Sequence, residues 1–105
     1  MADGTKFFGP YGACGEILGS ASDIVVDLNF KPLNVYIYNR SQLTMAVWNR
    51  AMPADSIYYM NSAGNATFST SAGITPGNKG FLLAGGSTIN GAGHIIYWEA
   101  DRSIN

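Results

Sequence analysis

Ile24, Val26, Leu28 and Phe30 alternate with Asp23, Val25, Asp27 and Asn29, and that period of two is the strongest constraint on the fold. Successive side chains of a strand point to opposite faces, so the run predicts a strand with one face in a core and one wet. Lys31-Pro32 interrupts it, and a second run, Leu33 to Tyr38, follows at once. There Leu33, Val35 and Ile37 are expected on one face and Tyr36 and Tyr38 on the other. Both faces are bulky, which predicts a central strand or one whose tyrosine face meets a partner.

Further strands are expected at Leu43 to Asn49, Ser56 to Asn61, Ala66 to Thr70, Gly80 to Ala84 and Gly93 to Ala100. The segments between them, Ala63-Gly64-Asn65, Pro76 to Gly80, Gly85-Gly86 and Asn90 to Gly93, are rich in turn formers. Glycine and asparagine tolerate positive φ, and proline presets a turn corner. No stretch keeps a helical period for three turns. Short strands at regular spacing read as all-β, an antiparallel β-sandwich of jelly-roll-like type. Residues 23–105 are expected to form this single domain.

Met1 to Ser22 reads differently. Gly4, Gly9, Gly12, Gly15 and Gly19, with Pro10, break any period, so residues 1–22 are expected to form an irregular glycine-rich N-terminal arm. Its aromatics Phe7, Phe8 and Tyr11 must be buried either on their own domain or on another subunit.

The chain has 105 residues, 47% of them apolar, enough for one compact core. Six basic and seven acidic side chains nearly cancel. The cations Lys6, Lys31, Arg40, Arg50, Lys79 and Arg102 are scattered, which argues against a nucleic-acid partner, since phosphate binding needs a concentrated basic patch. Charged residues make up only 12%, about half the share usual in a soluble domain, a composition suited to packing against neighbours. Met1 to Pro10 holds no long apolar run, which predicts no signal peptide, and no stretch is long enough to cross a bilayer as a helix. The lone Cys14 rules out an intramolecular disulfide.

Catalytic machinery is not legible. His94 is the single histidine and opens a strand after a glycine turn, so it reads as a surface or packing residue. One histidine and one cysteine eighty positions apart do not make a zinc site. Cys14 has no basic neighbour to lower its pKa. Glu99 and Asp101 share a strand face, and Asp23 and Asp27 share another, and both pairs read as solvated charges rather than a glycosidase couple. No enzyme and no cofactor is expected. Trp48, Tyr58, Tyr59, Tyr97 and Trp98 could stack on a sugar ring or lie in the core or a subunit interface.

The order of motifs carries further information. Lys31-Pro32-Leu33-Asn34-Val35-Tyr36-Ile37-Tyr38-Asn39-Arg40 is followed by Ala46-Val47-Trp48, Tyr58-Tyr59-Met60-Asn61 and Gly73-Ile74-Thr75-Pro76. Gly80-Phe81-Leu82-Leu83, Asn90-Gly91-Ala92-Gly93 and Ile95-Ile96-Tyr97-Trp98 close the series. Over Asp23 to Asp101 this resembles a β-sandwich module of tailed-bacteriophage virion proteins, found in small capsid decoration (cement) proteins and appended to fibres. Ala92 stands where that family often has serine, and Asn39 precedes Arg40 without a lysine. The resemblance implies a structural protein, made in the host bacterial cytoplasm, that binds the outside of the assembled capsid and stabilises it. Its partner would be the major capsid protein, and a homo-oligomer, with a trimer favoured, is expected. Phe7, Phe8 and Tyr11 are then the expected capsid contacts, and Tyr36 and Tyr38 the expected subunit interface. The alternative is a receptor- or glycan-binding module at a fibre or tail tip, with Trp48, Tyr97 and Trp98 as the stacking platform.

Overall fold

The computed structural model describes residues 5–85 and 89–102. Nine strands account for most of them: β1 (Lys6–Phe8), β2 (Gly12–Leu18), β3 (Ile24–Asp27), β4 (Pro32–Asn39), β5 (Thr44–Asn49), β6 (Ser56–Met60), β7 (Ala66–Gly77), β8 (Gly80–Leu83) and β9 (Ile95–Arg102). No helix occurs among the described residues, and every pairing is antiparallel. The all-β antiparallel class read from the sequence is the class of the fold. The expected Gly85-Gly86 turn lies partly outside the described residues.

The strands join in one continuous sheet, in the order β1-β2-β9-β4-β5-β6-β7-β8-β3, where a sandwich would have two separately bonded sheets. The twelve-residue β7 makes this continuity possible, because its first half pairs with β6 and its second half with β8. The sheet then curls on itself. Phe81 on β8 and Trp98 on β9 are five places apart in strand order, yet their rings meet edge to face at 5.7 Å and 74°. Lys6 on the edge strand β1 donates to the Asp27 carbonyl of the opposite edge strand, β3, at 3.0 Å. A sheet curled this far brings one face inward as core and leaves the other wholly outward.

The inward face follows the alternation. Ile24 and Val26 of β3, Val35 and Ile37 of β4, Ala46 and Trp48 of β5, and Ile96, Trp98 and Ala100 of β9 are all buried together. Leu28 and Phe30, beyond the end of β3, continue its buried face. Leu33 departs from the expected pattern. It is 40% exposed, while Pro32 is buried, because a bulge against β9 between Pro32 and Asn34 shifts the phase by one residue. Asn90, also buried, ties the loop after β8 to the loop before β3. Its Oδ1 accepts from Ser20 N at 3.0 Å, and its Nδ2 donates to Ser22 O at 2.7 Å.

The glycine-rich N-terminal segment requires a correction. It is not an irregular arm: β1 and β2 form a hairpin, and all seven residues of β2 pair with β9. Its glycines mark close backbone approach rather than looseness. A Cβ on Gly12 would lie 2.3 Å from Ala100 O, and one on Gly15 would lie 2.4 Å from Thr5 O and 2.8 Å from the Trp98 indole. Glycine in a strand interior often marks such an approach, which explains why period and composition misread the segment.

Candidate functional site

The outward face is the unusual surface of this molecule. Directly opposed residues of adjacent strands share a face, so the pairing register can be read across the sheet. One row runs Phe7, Cys14, Glu99, Tyr36, Val47, Tyr58, Phe68 over seven strands, β1-β2-β9-β4-β5-β6-β7. A second row runs Glu16, Tyr97, Tyr38, Met45, Met60, Ala66. Phe7, Met45, Tyr58, Met60, Phe68 and Tyr97 are exposed. Strands that alternate core residues with aromatic and methionine side chains thus present an apolar outer surface where a monomer would carry polar groups. Soluble monomers rarely expose contiguous apolar patches beyond a few hundred Å².

The middle of this face is polar and well ordered. Tyr38 donates its hydroxyl to Glu99 Oε1 at 2.8 Å, and Asn34 Nδ2 donates to Asp101 Oδ2 at 3.0 Å. Partial burial, together with the Asp101 charge and a hydrogen bond to it, raises the Tyr36 phenol above its ordinary value. The bond to Glu99 is the main cause of the same rise at Tyr38, with burial adding to it. Both phenols therefore stay protonated, as donors, well past neutral pH. Arg40 Nη1 donates to the Tyr97 hydroxyl at 3.2 Å.

Phe7 and Tyr11 are 65% and 77% exposed on the β1–β2 hairpin, and Phe8 is exposed beside them. Tyr36 and Tyr38 are half-buried at the centre of the outward face. Phe7 lies in the same cross-strand row as Tyr36, so the sheet joins on one surface residues that the sequence divided between capsid and subunit contacts. The proposed stacking platform requires a correction. Trp48 and Trp98 point inward and are 2% and 1% exposed, so neither ring offers a face to a sugar. Only Tyr97 of that trio is open. The two tryptophans are large enough to fill the curled sheet, and the alternation of Trp48 with Val47 and of Trp98 with Tyr97 assigns them to the core side.

Met45, Met60 and Phe68 were missed as site residues, and Tyr58 was weighed only within the aromatic set for stacking, core or interface. Each alternates with a neighbour facing the other way, such as Ala46 or Ile57, so counting apolar residues on the outward phase would have found them. His94 has a structural place: Asn39 Nδ2 bonds His94 Nδ1 at 3.1 Å and Ile89 O at 2.6 Å, while Asn39 Oδ1 accepts from Gln42 N at 2.9 Å. Gln42 Nε2 lies 3.3 Å from His94 Nε2, so the imidazole is held between two amide side chains. Among the described residues no three His, Cys, Asp or Glu side chains gather as metal ligands. Comparison with models of known families, with characterised proteins and with solved structures finds no match to this chain.

Proposed function

We propose that this protein is a structural component of a bacteriophage particle that binds the outside of the assembled capsid and braces it, using the outward face of its sheet as the docking surface. The observation that carries the reading is the set of exposed aromatic and methionine side chains in the two rows, Phe7, Tyr58 and Phe68 in one and Tyr97, Met45 and Met60 in the other. Aromatic residues and methionine are the residues enriched in protein–protein interfaces, and lysine is depleted there. No lysine interrupts either row. The virion setting rests on the ordered motifs from Lys31 to Trp98, and the docking role rests on the exposed face.

Bracing is a mechanical task with no chemical step. A module that spans two neighbouring shell subunits adds interface area to contacts loaded by internal pressure. An interface above about 1,000 Å² in total is needed for a specific site. Seven strands at roughly 4.8 Å spacing make an outer surface roughly 30 Å along its arc, and because the sheet curls a single partner meets one stretch of it, which suits a module set between two shell subunits. The glycan-binding reading loses support, since two of its three rings are buried.

The test is the copy number of the chain in purified particles relative to the major capsid protein, followed by binding of the variant F7S/F8S to particles that lack the chain. Comparable stoichiometry, together with loss of binding by a variant that melts like wild type, is expected. A few copies per particle would replace bracing with a tip role, and absence from particles would end the virion reading.

A further inference from the structure

Met45 of β5 and Met60 of β6 stand directly opposite each other on the outward face and are 42% and 39% exposed. They flank a shallow groove of about 100 Å³ whose remaining lining is Ala46, Val47 and Tyr58. Opposed residues of antiparallel strands lie close enough for their side chains to meet, so the two thioethers sit side by side at the apolar end of the face.

Met52 is placed differently. It packs against the core, and its sulfur accepts a hydrogen bond from Asn49 N at 3.3 Å. A small oxidant in solution therefore reaches the lone pairs of Met45 and Met60 ahead of that of Met52. Apolar area alone does not call for methionine at these two positions, because leucine is a volume-conserving replacement that would supply it. What methionine adds is a sulfur that can exchange apolar for polar character and be restored.

We infer that Met45 and Met60 form a paired oxidation site through which a peroxide switches the docking face from apolar to polar and releases its partner. The step is oxygen transfer to each thioether. A sulfur lone pair attacks one oxygen of hydrogen peroxide, the O–O bond breaks as the S–O bond forms, and the second oxygen leaves with both protons as water. Each sulfur gives up two electrons and each peroxide accepts them. A partner closing over the oxidised groove must strip water from two S–O dipoles held on facing strands, where the Tyr58 phenol is the one side-chain donor in the lining. Neither methionine belongs to the buried core, so the fold stands while docking is lost. The inference rests on the reading that this face docks a protein, and it adds the regulation of that contact.

The experiment uses the full-length chain carrying Cys14→Ser, which removes the one thiol, itself exposed on the same face. Dilute hydrogen peroxide is added, and tandem mass spectrometry of tryptic peptides follows Met45 in residues 41–50 and Met52 and Met60 in residues 51–79. Met45 and Met60 are expected to oxidise ahead of Met52, with an unchanged melting temperature. Affinity for particles that lack the chain should fall about tenfold or more, and methionine sulfoxide reductases acting on both sulfoxide epimers should restore it. The variant C14S/M45L/M60L should bind like C14S and keep binding after peroxide. Oxidation of Met52 first, affinity unchanged by oxidation, or an equal loss of affinity in C14S/M45L/M60L would each overturn the inference and leave the docking reading standing. Failure of the untreated chain to bind particles would overturn the docking reading and the switch with it.

Discussion

Asp55 is where the outward face is anchored to the core. Between Ser56 and Ile57 the pairing of β6 with β7 jumps from Ile74 to Ser69, so the residues between them on β7 bulge out of register. Asp55 holds this bulge: its Oδ2 accepts from Ala72 N at 3.1 Å, and its Oδ1 from Gly73 N at 3.0 Å. Asp55 itself sits at φ 63°, a left-handed conformation that aspartate tolerates better than alanine. Hydrogen bonds to a charged group contribute about 1.5–3 kcal/mol each, and partial exposure places these two at the low end. Loss of both, plus the backbone preference, predicts that Asp55→Ala costs about 3 kcal/mol, or a fall of roughly 12 °C in Tm. Asp55→Asn keeps one acceptor and the backbone tolerance, so it should cost about half as much. Urea unfolding followed by tryptophan fluorescence is the assay, since both tryptophans are buried. A loss below about 0.5 kcal/mol for Asp55→Ala would refute the clamp.

Gly12→Val should cost more than 2 kcal/mol, on the order of a severe core change, because its Cβ would collide with the Ala100 carbonyl and split β2 from β9; urea midpoints measure this. Replacing Asn90 with alanine removes bonds to Ser20 and Ser22 from a buried site and should cost about 2–3 kcal/mol, read as a drop in Tm. Tyr36 and Tyr38 have phenol pKa values raised in the folded state, so the stability they contribute is complete below the unfolded value of 10.0 and is lost as pH rises through the folded values. Urea midpoints should therefore fall from about pH 9.5 upward, and Y36F/Y38F should flatten that fall; an unchanged alkaline slope in the double variant would remove these phenols as its cause.

The sequence was most legible where one face is core and the alternation is clean. From Ile24 to Phe30 the period of two located every buried residue, because Asp23, Asp27 and Asn29 mark the solvent side and leave Val25 as the one apolar side chain on it. It failed at Leu33, since a one-residue bulge inverts the phase of what precedes it and leaves no mark in composition. In the N-terminal segment, glycine has two opposite meanings, freedom and close approach, and only the neighbouring backbone of Ala100 and Thr5 decides between them. Trp48 and Trp98 were left between the core and a stacking platform, and their phase opposite Val47 and Tyr97 decides for the core. Phe7, Phe8 and Tyr11 were read as outward anchors, and they are exposed, but the junction of Phe7 with Tyr36 on one surface depends on the pairing of Cys14 in β2 with Glu99 in β9, residues more than eighty positions apart in the chain.

A curled sheet needs one apolar face to fold, and this chain adds a second set of apolar side chains on its outward face, on either side of a polar centre. The second cannot be explained by stability, because Met45, Tyr58, Met60 and Phe68 remain exposed and gain little from folding alone. They also make association an ever-present hazard, which the short edge strands β1 and β3 limit by offering little length for edge-to-edge pairing. Face-to-face docking is left as the favoured mode of contact. The two ends of the face then have separable roles. The Phe7 end carries carboxylates and is suited to orient a partner, whereas the Tyr58–Phe68 end is apolar and suited to supply buried area. Y58S/F68S should weaken particle binding equally at low and high salt, while E16Q/E99Q should weaken it chiefly at low salt, because exposed charges are screened beyond a Debye length. Identical salt profiles for the two variants would mean that the face acts as one undivided patch.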